Sequence, residues 1–274
     1  MDLNLSTKAK ITWCPGCPDN AILVAFRETV TELVNAGSLK LENIVAMSGI
    51  GCHGKITDYL NMDTFTSLHG RLVPTMTGTK VANPALTVVG FSGDGDSYDE
   101  GLDHLIHAAR RNSDINLFIH DNQVFALTTG QATPTSPKGF KGRSTPTGTI
   151  EEPFNPLLLM LSAGATFVAR SYAPEIARTK EIMKAAVAHK GFSFVDIIQP
   201  CLTFNDTRDY YGKRIYWLDE KFPTNDVATA TEKAREYGDP STRSANSGQA
   251  GSGQDKIPFG IFYSVEKPAF EEQL

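Results

Sequence analysis

What the chain lacks narrows its function first. It has no apolar run near the ~18 residues that suggest a membrane span, so no membrane role is expected. The opening stretch MDLNLSTKAK has no apolar core of the kind found in a secretory signal, and the expected location is the cytoplasm. A basic excess is also missing. The 26 Lys and Arg stand against 31 Asp and Glu, a formal net charge of −5, which leaves no footprint for nucleic acid. Cysteine is scarce: Cys14, Cys17, Cys52 and Cys201 are the only four in 274 residues. In a reducing compartment two structural disulfides are not expected from them. No internal repeat is visible. The remaining composition, 41% hydrophobic and 21% charged, is ordinary for a globular protein and suits one large α/β domain or two small ones.

Apolar runs alternate with helical periodicity, which predicts an α/β fold: a mostly parallel sheet with helices on both faces. A helix is expected over residues 19–36, with Asp19 as its cap, Ile22, Phe26, Val30 and Leu33 on one face, and Gly37 as its stop. Strands are expected at 43–47, 86–91, 115–120, 165–170 and 194–198. Further helices are expected at 97–111, with acids first and arginines last, and from Pro174 to about residue 189. Residues 128–149, rich in Thr, Pro, Gly and Ser, read as a long loop of the functional kind. Residues 241–253 read as a flexible linker, and 257–265 as an apolar tail that docks on the domain or on a partner.

Three groups of residues carry possible chemistry. Gly93-Asp94-Gly95-Asp96 follows one predicted strand and Asn122 follows the next. Both therefore sit at the carboxyl edge of the sheet, where open α/β sheets bind ligands. A carboxylate and an amide oxygen suit Mg²⁺, which completes its octahedron with phosphates. The glycines let the backbone approach a diphosphate, and a helix opening near Ser97 offers N–H groups to an anion. Gly-Asp-Gly alone is also an ordinary turn; the paired Asn122 is what favours the site. The second group is the cysteines. Cys14 and Cys17 form Cys-x-x-Cys at a helix start, and Cys52 and Cys201 each follow a strand, beside Gly or Pro. Four thiolates can hold a structural zinc or an iron–sulfur cluster. Zinc ribbons usually use two close Cys-x-x-Cys pairs, and only one exists here, which favours the cluster. Four small core residues or a redox Cys-x-x-Cys pair are the blander readings. The third group is His69, Gly70 and Arg71, with Thr77-Gly78-Thr79-Lys80 soon after. These side chains can meet phosphate or carboxylate oxygens, or serve as structural partners. His104 and His107 read as packing or surface residues.

The segments WCPGC (13–17), SGIGC (48–52), LHGR (68–71), TGTKVANP (77–84), GDGD (93–96), IHAARRN (106–112), DN (121–122), TGQATPT (129–135) and QPC (199–201) occur in this order. Together they resemble the β subunits of 2-oxoacid:ferredoxin oxidoreductases, over about residues 10–215. The resemblance implies a thiamine diphosphate-binding fold that holds thiamine diphosphate with Mg²⁺. It implies Asp94, Asn122 and the Val124 carbonyl as metal ligands, with Gly93, Gly95, Asp96, His69, Gly51 and Lys55 as further cofactor contacts. Cys14, Cys17, Cys52 and Cys201 match the ligands of one [4Fe–4S] cluster. The implied reaction is the coenzyme A-dependent oxidative decarboxylation of a 2-oxoacid to acyl-CoA and CO₂. Electrons leave through the cluster to ferredoxin, and the reaction can run in reverse. The glutamate that activates the cofactor is expected on a partner α subunit, which would also hold the pyrimidine-binding domain, so no catalytic residue is assigned in this chain. Residues 1–215 are expected to form the cofactor- and cluster-binding domain, and 216–274 a C-terminal extension with linker and docking tail. At Pro18, Asp103, Phe125-Ala126 and Thr129 the chain departs from the common pattern, which leaves the identity of the 2-oxoacid open. Two rival readings stand beside this one. A non-redox thiamine diphosphate decarboxylase subunit would not need four cysteines, and a zinc-stabilised interaction module would not explain Asp94 and Asn122.

Overall fold

The computed structural model describes residues 3–237 and 256–274. The strands among them, in chain order, are β1 (Ile44–Ser48), β2 (Asp63–Thr66), β3 (Thr87–Gly93), β4 (Asn116–Asp121), β5 (Val124–Phe125), β6 (Gln131–Ala132), β7 (Phe167–Tyr172), β8 (Ser193–Ile198), β9 (Ile215–Trp217) and β10 (Ile257–Ser264). Eight of them form one sheet in the order β2-β1-β3-β4-β8-β7-β10-β9, while β5 and β6 pair in a separate antiparallel ribbon. Neighbours in the large sheet are parallel except where β10 runs antiparallel to β7. Every position of β4, β7 and β8 is buried. Central parallel strands covered on both faces need apolar residues on both, which is why these runs do not alternate.

The helices are α1 (Asp19–Asn35), α2 (Leu72–Ala82), α3 (Asp94–Tyr98), α4 (Leu102–Arg111), α5 (Pro156–Ala163), α6 (Ile176–Ala188), α7 (Arg208–Gly212) and α8 (Val227–Ala234). Helices α1 and α6 pack on one face around Phe26, Phe91, Phe118 and Val195. Helices α2, α4, α5 and α8 cover the other around Met76, Leu105, Leu157 and Phe194. The mostly parallel sheet with helices on both faces is thus as expected. No helix among the described residues is long and apolar enough to cross a membrane.

Several local expectations are corrected. Asp19 opens α1 without capping it: Pro18 holds the cap position, and no side chain bonds there. The Asp19 carboxylate is turned inward, 1% exposed, and meets His120 Nδ1 at 2.7 Å. The helix expected over 97–111 is two helices. The N–H groups of Asp99 and Glu100 both close on the Gly95 carbonyl and end α3 before α4 begins. Helix α3 rises directly out of β3 at Asp94, three residues before the start expected near Ser97, and has only five residues. Pro174 stands ahead of α6 and not in its first turn. Thr77-Gly78-Thr79-Lys80 lies inside α2, not in a glycine-rich loop. Lys80 is buried there, with Nζ 2.7 Å from Asp114 Oδ2 and 2.7 Å from the Leu86 carbonyl, so it is a structural partner and no phosphate ligand. Residues 257–265, read as a tail that docks on the domain or on a partner, do dock on the domain, where Ile257–Ser264 enters the sheet as β10 between β7 and β9. The linker expected at 241–253 lies outside the described residues.

Arg170 on β7 shows how the sheet tolerates charge. It is fully buried, its Nε donates to Asp196 Oδ2 at 3.1 Å, and its guanidinium lies 3.6 Å over the Tyr237 ring. The Tyr98 hydroxyl donates to the other Asp196 oxygen at 3.1 Å. Removing one partner of a buried pair strands the other charge in a low dielectric. Arg170→Ala is therefore expected to cost about 3–5 kcal/mol of stability, measured by urea unfolding. A change below ~1 kcal/mol would contradict this pairing.

Candidate active site

The sheet edge explains how distant residues meet. Strands β1, β3, β4 and β8 are contiguous, and their carboxyl ends lead into Gly49–Cys52, Asp94, Asn122 and Gln199–Cys201 respectively. The carboxyl ends of such strands form the crevice where α/β sheets bind ligands.

Asp94 is 2% exposed, and its Oδ2 accepts the Thr133 hydroxyl at 2.6 Å and the Thr135 hydroxyl at 2.8 Å. Burial raises its pKa to about 6, against the pull of those two hydroxyls. A buried carboxylate of this kind gains from a cation. Asn122 points its Oδ1 at the Val124 N–H, 3.1 Å away, and donates Nδ2 to Gln199 Oε1 at 3.1 Å. The turn between Asn122 and Val124 is made by Gln123 at φ +63°, an uncommon conformation for a residue with a side chain.

Asp94 and Asn122 line a cavity of about 60 Å³ that also takes in Gly51, His53, His69, Gly93, Gly95, Asp96 and Val124. Of the residues singled out as cofactor contacts, only Lys55 stands elsewhere, on the neighbouring cavity described below. Arg71 is exposed, and its guanidinium donates to the backbone carbonyls of Gly70 and Glu100. Asp96 braces the cavity floor. It accepts the Gly70 N–H at 2.7 Å and the Ser92 hydroxyl, while His53 and His69 each bring a ring nitrogen to 3.5 Å. Burial pushes the Asp96 pKa up, but His53, Ser92 and the Gly70 N–H together outweigh it and hold the carboxyl below its ordinary range.

Sequence reasoning did not single out His53. It follows Cys52 in a short 3₁₀ turn and is 5% exposed. Its position one residue past a strand-end cysteine was the available signal. Thr133 and Thr135 were also missed as individuals, although the 128–149 segment was read as functional. The first part of that segment does reach the site, with Thr128 on the cavity wall and Thr133 and Thr135 on Asp94. Its later part folds on itself, Gly139 and Phe140 pairing with Thr149.

Gly95 has a steric reason beyond backbone approach: a Cβ there would lie 2.2 Å from the Phe125 ring. Gly95→Ala must displace Phe125, another cavity-lining residue. Overpacking of this size costs about 1–3 kcal/mol, expected here as lost thermal stability and weaker binding of a diphosphate ligand. Wild-type values for both would contradict the packing.

A second cavity, of about 290 Å³, is lined by Cys14, Cys17, Cys52 and Cys201 together, with Lys55 and Gln199 beside them. All four are free thiols. The Trp13 indole N–H, 2.6 Å from the Cys52 carbonyl, ties the Cys-x-x-Cys arm to the β1 loop. Gln199 Nε2 donates to Cys17 Sγ at 3.5 Å and the Thr203 hydroxyl to Cys14 Sγ at 3.6 Å. Burial raises the Cys52 pKa to about 11, helped by Asp19, Cys201 and Cys14 and opposed by Lys55. Burial and then Asp19 push Cys17 up further. Cys17 and Cys52, buried thiols that resist ionisation, become ligands when a cationic centre neutralises them. Among the described residues no group of three or more His, Cys, Asp or Glu converges on the point of a single metal ion. The cysteines instead ring a larger space. The two cavities share Cys52, Asn122, Ala126 and Leu127 as a common wall.

Comparison with known proteins bears on this pair of cavities. Residues 49–197 match the family model described as the thiamine pyrophosphate enzyme, C-terminal TPP binding domain. Residues 201–274 match the C-terminal family model of the pyruvate ferredoxin oxidoreductase beta subunit. The chain is similar to a 2-oxoacid:ferredoxin oxidoreductase subunit beta from Sulfolobus sp., with 40% identity over 96% of this chain and 85% of the relative. It is 38% identical to the 2-oxoacid:ferredoxin oxidoreductase 2 subunit beta of Aeropyrum pernix, over 99% of this chain and 86% of that one. A solved structure of the 2-oxoglutarate:ferredoxin oxidoreductase from Magnetococcus marinus, with 2-oxoglutarate, coenzyme A and succinyl-CoA bound, superposes with a TM-score of 0.88. That match covers 98% of this chain and 87% of the other, at 34% identity.

Proposed function

The chain belongs to the 2-oxoacid:ferredoxin oxidoreductase β subunits, and on that premise we propose which of its residues hold the cofactors and how they serve the reaction. The observation that carries the reading is the shared wall: all four cysteines line one cavity, Asp94 lines the next, and Cys52 and Asn122 belong to both. Electron transfer between a carbon centre and a cluster needs such adjacency, and a non-redox thiamine enzyme would not.

Asp94 and Asn122, with the Val124 carbonyl, would hold Mg²⁺ and through it the diphosphate of thiamine diphosphate. The donor set fits, because hard oxygen donors at a buried carboxylate suit a small divalent cation. Cys14, Cys17, Cys52 and Cys201 would hold one [4Fe–4S] cluster. They fit by chemistry and by space, since four soft donors surround room for a polynuclear centre. When bound, thiamine diphosphate supplies the carbanion-stabilising chemistry of 2-oxoacid decarboxylation, and the cluster supplies one-electron steps towards ferredoxin.

The chain's own contributions are binding and orientation. Thr133 and Thr135 fix the Asp94 carboxylate in one rotamer. Asp96, held by Gly70, Ser92 and the two histidines, keeps the cavity floor rigid. Leu127 and Ala126 put apolar side chains on the wall that the two cavities share. Lys55 stands against the cysteines and offsets negative charge there. A cavity of about 60 Å³ is below the ~300 Å³ of a typical small-molecule site. This supports a site completed by a partner α subunit that brings the pyrimidine-binding domain and the activating glutamate. All the proposed ligands fall within residues 1–215, which we assign to cofactor and cluster binding, with 216–274 as the C-terminal extension. Coenzyme A is the proposed acyl acceptor, ferredoxin the electron acceptor, and the cytoplasm the compartment that keeps these thiolates reduced.

The test is turnover by the anaerobically prepared αβ complex given Mg²⁺, thiamine diphosphate, coenzyme A and a panel of 2-oxoacids including pyruvate and 2-oxoglutarate. Ferredoxin reduction that requires both coenzyme A and a 2-oxoacid is expected. Decarboxylation with no electron transfer to ferredoxin would contradict the reading.

A further inference from the structure

Gln199 joins the two cavities through one side chain. It leaves the carboxyl end of β8, is 1% exposed, and lines the cysteine cavity. Its Oε1 accepts from Asn122 Nδ2 at 3.1 Å, and its Nε2 donates to Cys17 Sγ at 3.5 Å. The segment it opens makes a second tie. Asn205 donates its Nδ2 to the Asn122 carbonyl at 3.1 Å and its N–H to the Cys201 carbonyl at 2.9 Å. Asn122 is thus bound twice to the chain that carries Cys201.

We infer that Gln199 is a positioning residue that couples occupancy of the metal–diphosphate site at Asn122 to the reduction potential of the centre held by Cys17. This rests on the ligand assignments proposed above. A primary amide has one acceptor end and one donor end. A cation drawing on Asn122 Oδ1 leaves only the Asn122 NH₂ to face Gln199. Gln199 must then present its oxygen to Asn122, and its NH₂ is left to Cys17 Sγ and to the Pro200 carbonyl, 3.4 Å away. The Val124 N–H on Asn122 Oδ1 biases the pair the same way, and the cation completes the bias. An N–H on a ligand sulfur stabilises the charge added on reduction and raises the potential. By linkage, reduction of the centre tightens the cation site in return.

The test is an EPR-monitored redox titration of the anaerobically prepared αβ complex, with and without Mg²⁺ and thiamine diphosphate. In the wild type, adding both should raise the midpoint potential. In Gln199→Leu the potential should be lower by up to a tenfold shift in the reduction equilibrium, about 59 mV for a one-electron couple, and should no longer respond to the cofactor. Gln199→Glu keeps an acceptor for Asn122 but sets a carboxylate against the sulfur, so its potential should fall further. A wild-type potential indifferent to Mg²⁺ and thiamine diphosphate overturns the coupling and leaves the ligand assignment intact. So does an unchanged potential in Gln199→Leu that retains full iron and cofactor. A merely structural role would show as lost iron or cofactor, with no shift in the centre that remains. A wild-type complex without iron overturns the ligand assignment, and the coupling with it.

Discussion

Cys201→Ala protein, prepared anaerobically with its α subunit, is expected to lose nearly all of its iron and its ferredoxin reduction. Cys201 reaches the cavity from the carboxyl end of β8, Cys52 from β1, and Cys14 and Cys17 from the arm ahead of α1. The sequence has four cysteines in all, so none can replace the missing ligand. The loss should extend to stability, because the centre would join the N-terminal arm to two separate strand ends. Cys201→Ser should retain a damaged centre, since an oxygen ligand is harder and poorer for iron than a thiolate. Full iron content in Cys201→Ala would remove this cysteine from the ligand set.

Asp94→Ala should be as severe at the other cavity. A methyl group cannot hold the ion that neutralises the diphosphate, and it also strands the hydroxyls of Thr133 and Thr135 that now donate to the carboxylate. Substitution of groups outside the direct ligands typically costs 10–100-fold in metal affinity, so loss of the ligand itself is expected to exceed about 100-fold. Calorimetric titration of Mg²⁺ with thiamine diphosphate reads this directly. Asn122→Ala should be weaker in effect, because a neutral amide contributes less to the ion than a carboxylate. Undiminished binding in Asp94→Ala would sink the site.

The sequence made the sheet legible because fully buried parallel strands leave unmistakable apolar runs at 86–91, 115–120 and 194–198, and each observed strand begins within a residue of that reading. It also placed Asp94, Asn122, Cys52 and Cys201 on one edge, because strand ends in a parallel sheet share a side. What it could not show were contacts made by side chains that look ordinary in sequence. Lys80 sits in a Thr-Gly-Thr-Lys string that resembles a phosphate loop, yet α2 carries it into the sheet's flank to pair with Asp114. Asp19 has the composition of a helix cap, but His120, distant in sequence, draws it inward. Helix α2 was invisible because a Pro near its start and a Gly within it argue against a helix, and packing on β1 and β3 overrides that preference. His53, Thr133, Thr135 and Gln199 matter through partners supplied by other strands, and no local pattern announces them. Strand β10 pairs with β7 from far along the chain, a contact that periodicity alone does not reveal.

The central claim is that one sheet edge holds a polynuclear iron centre beside a metal–diphosphate site. It is tested most directly by anomalous scattering at the iron edge from crystals of the anaerobically handled αβ complex grown with Mg²⁺ and thiamine diphosphate. The account predicts iron signal within the cavity ringed by Cys14, Cys17, Cys52 and Cys201, with the diphosphate against Asp94 and Asn122 across the Cys52 wall. Signal at the zinc edge only, or iron lying away from any of the four sulfurs, would contradict it.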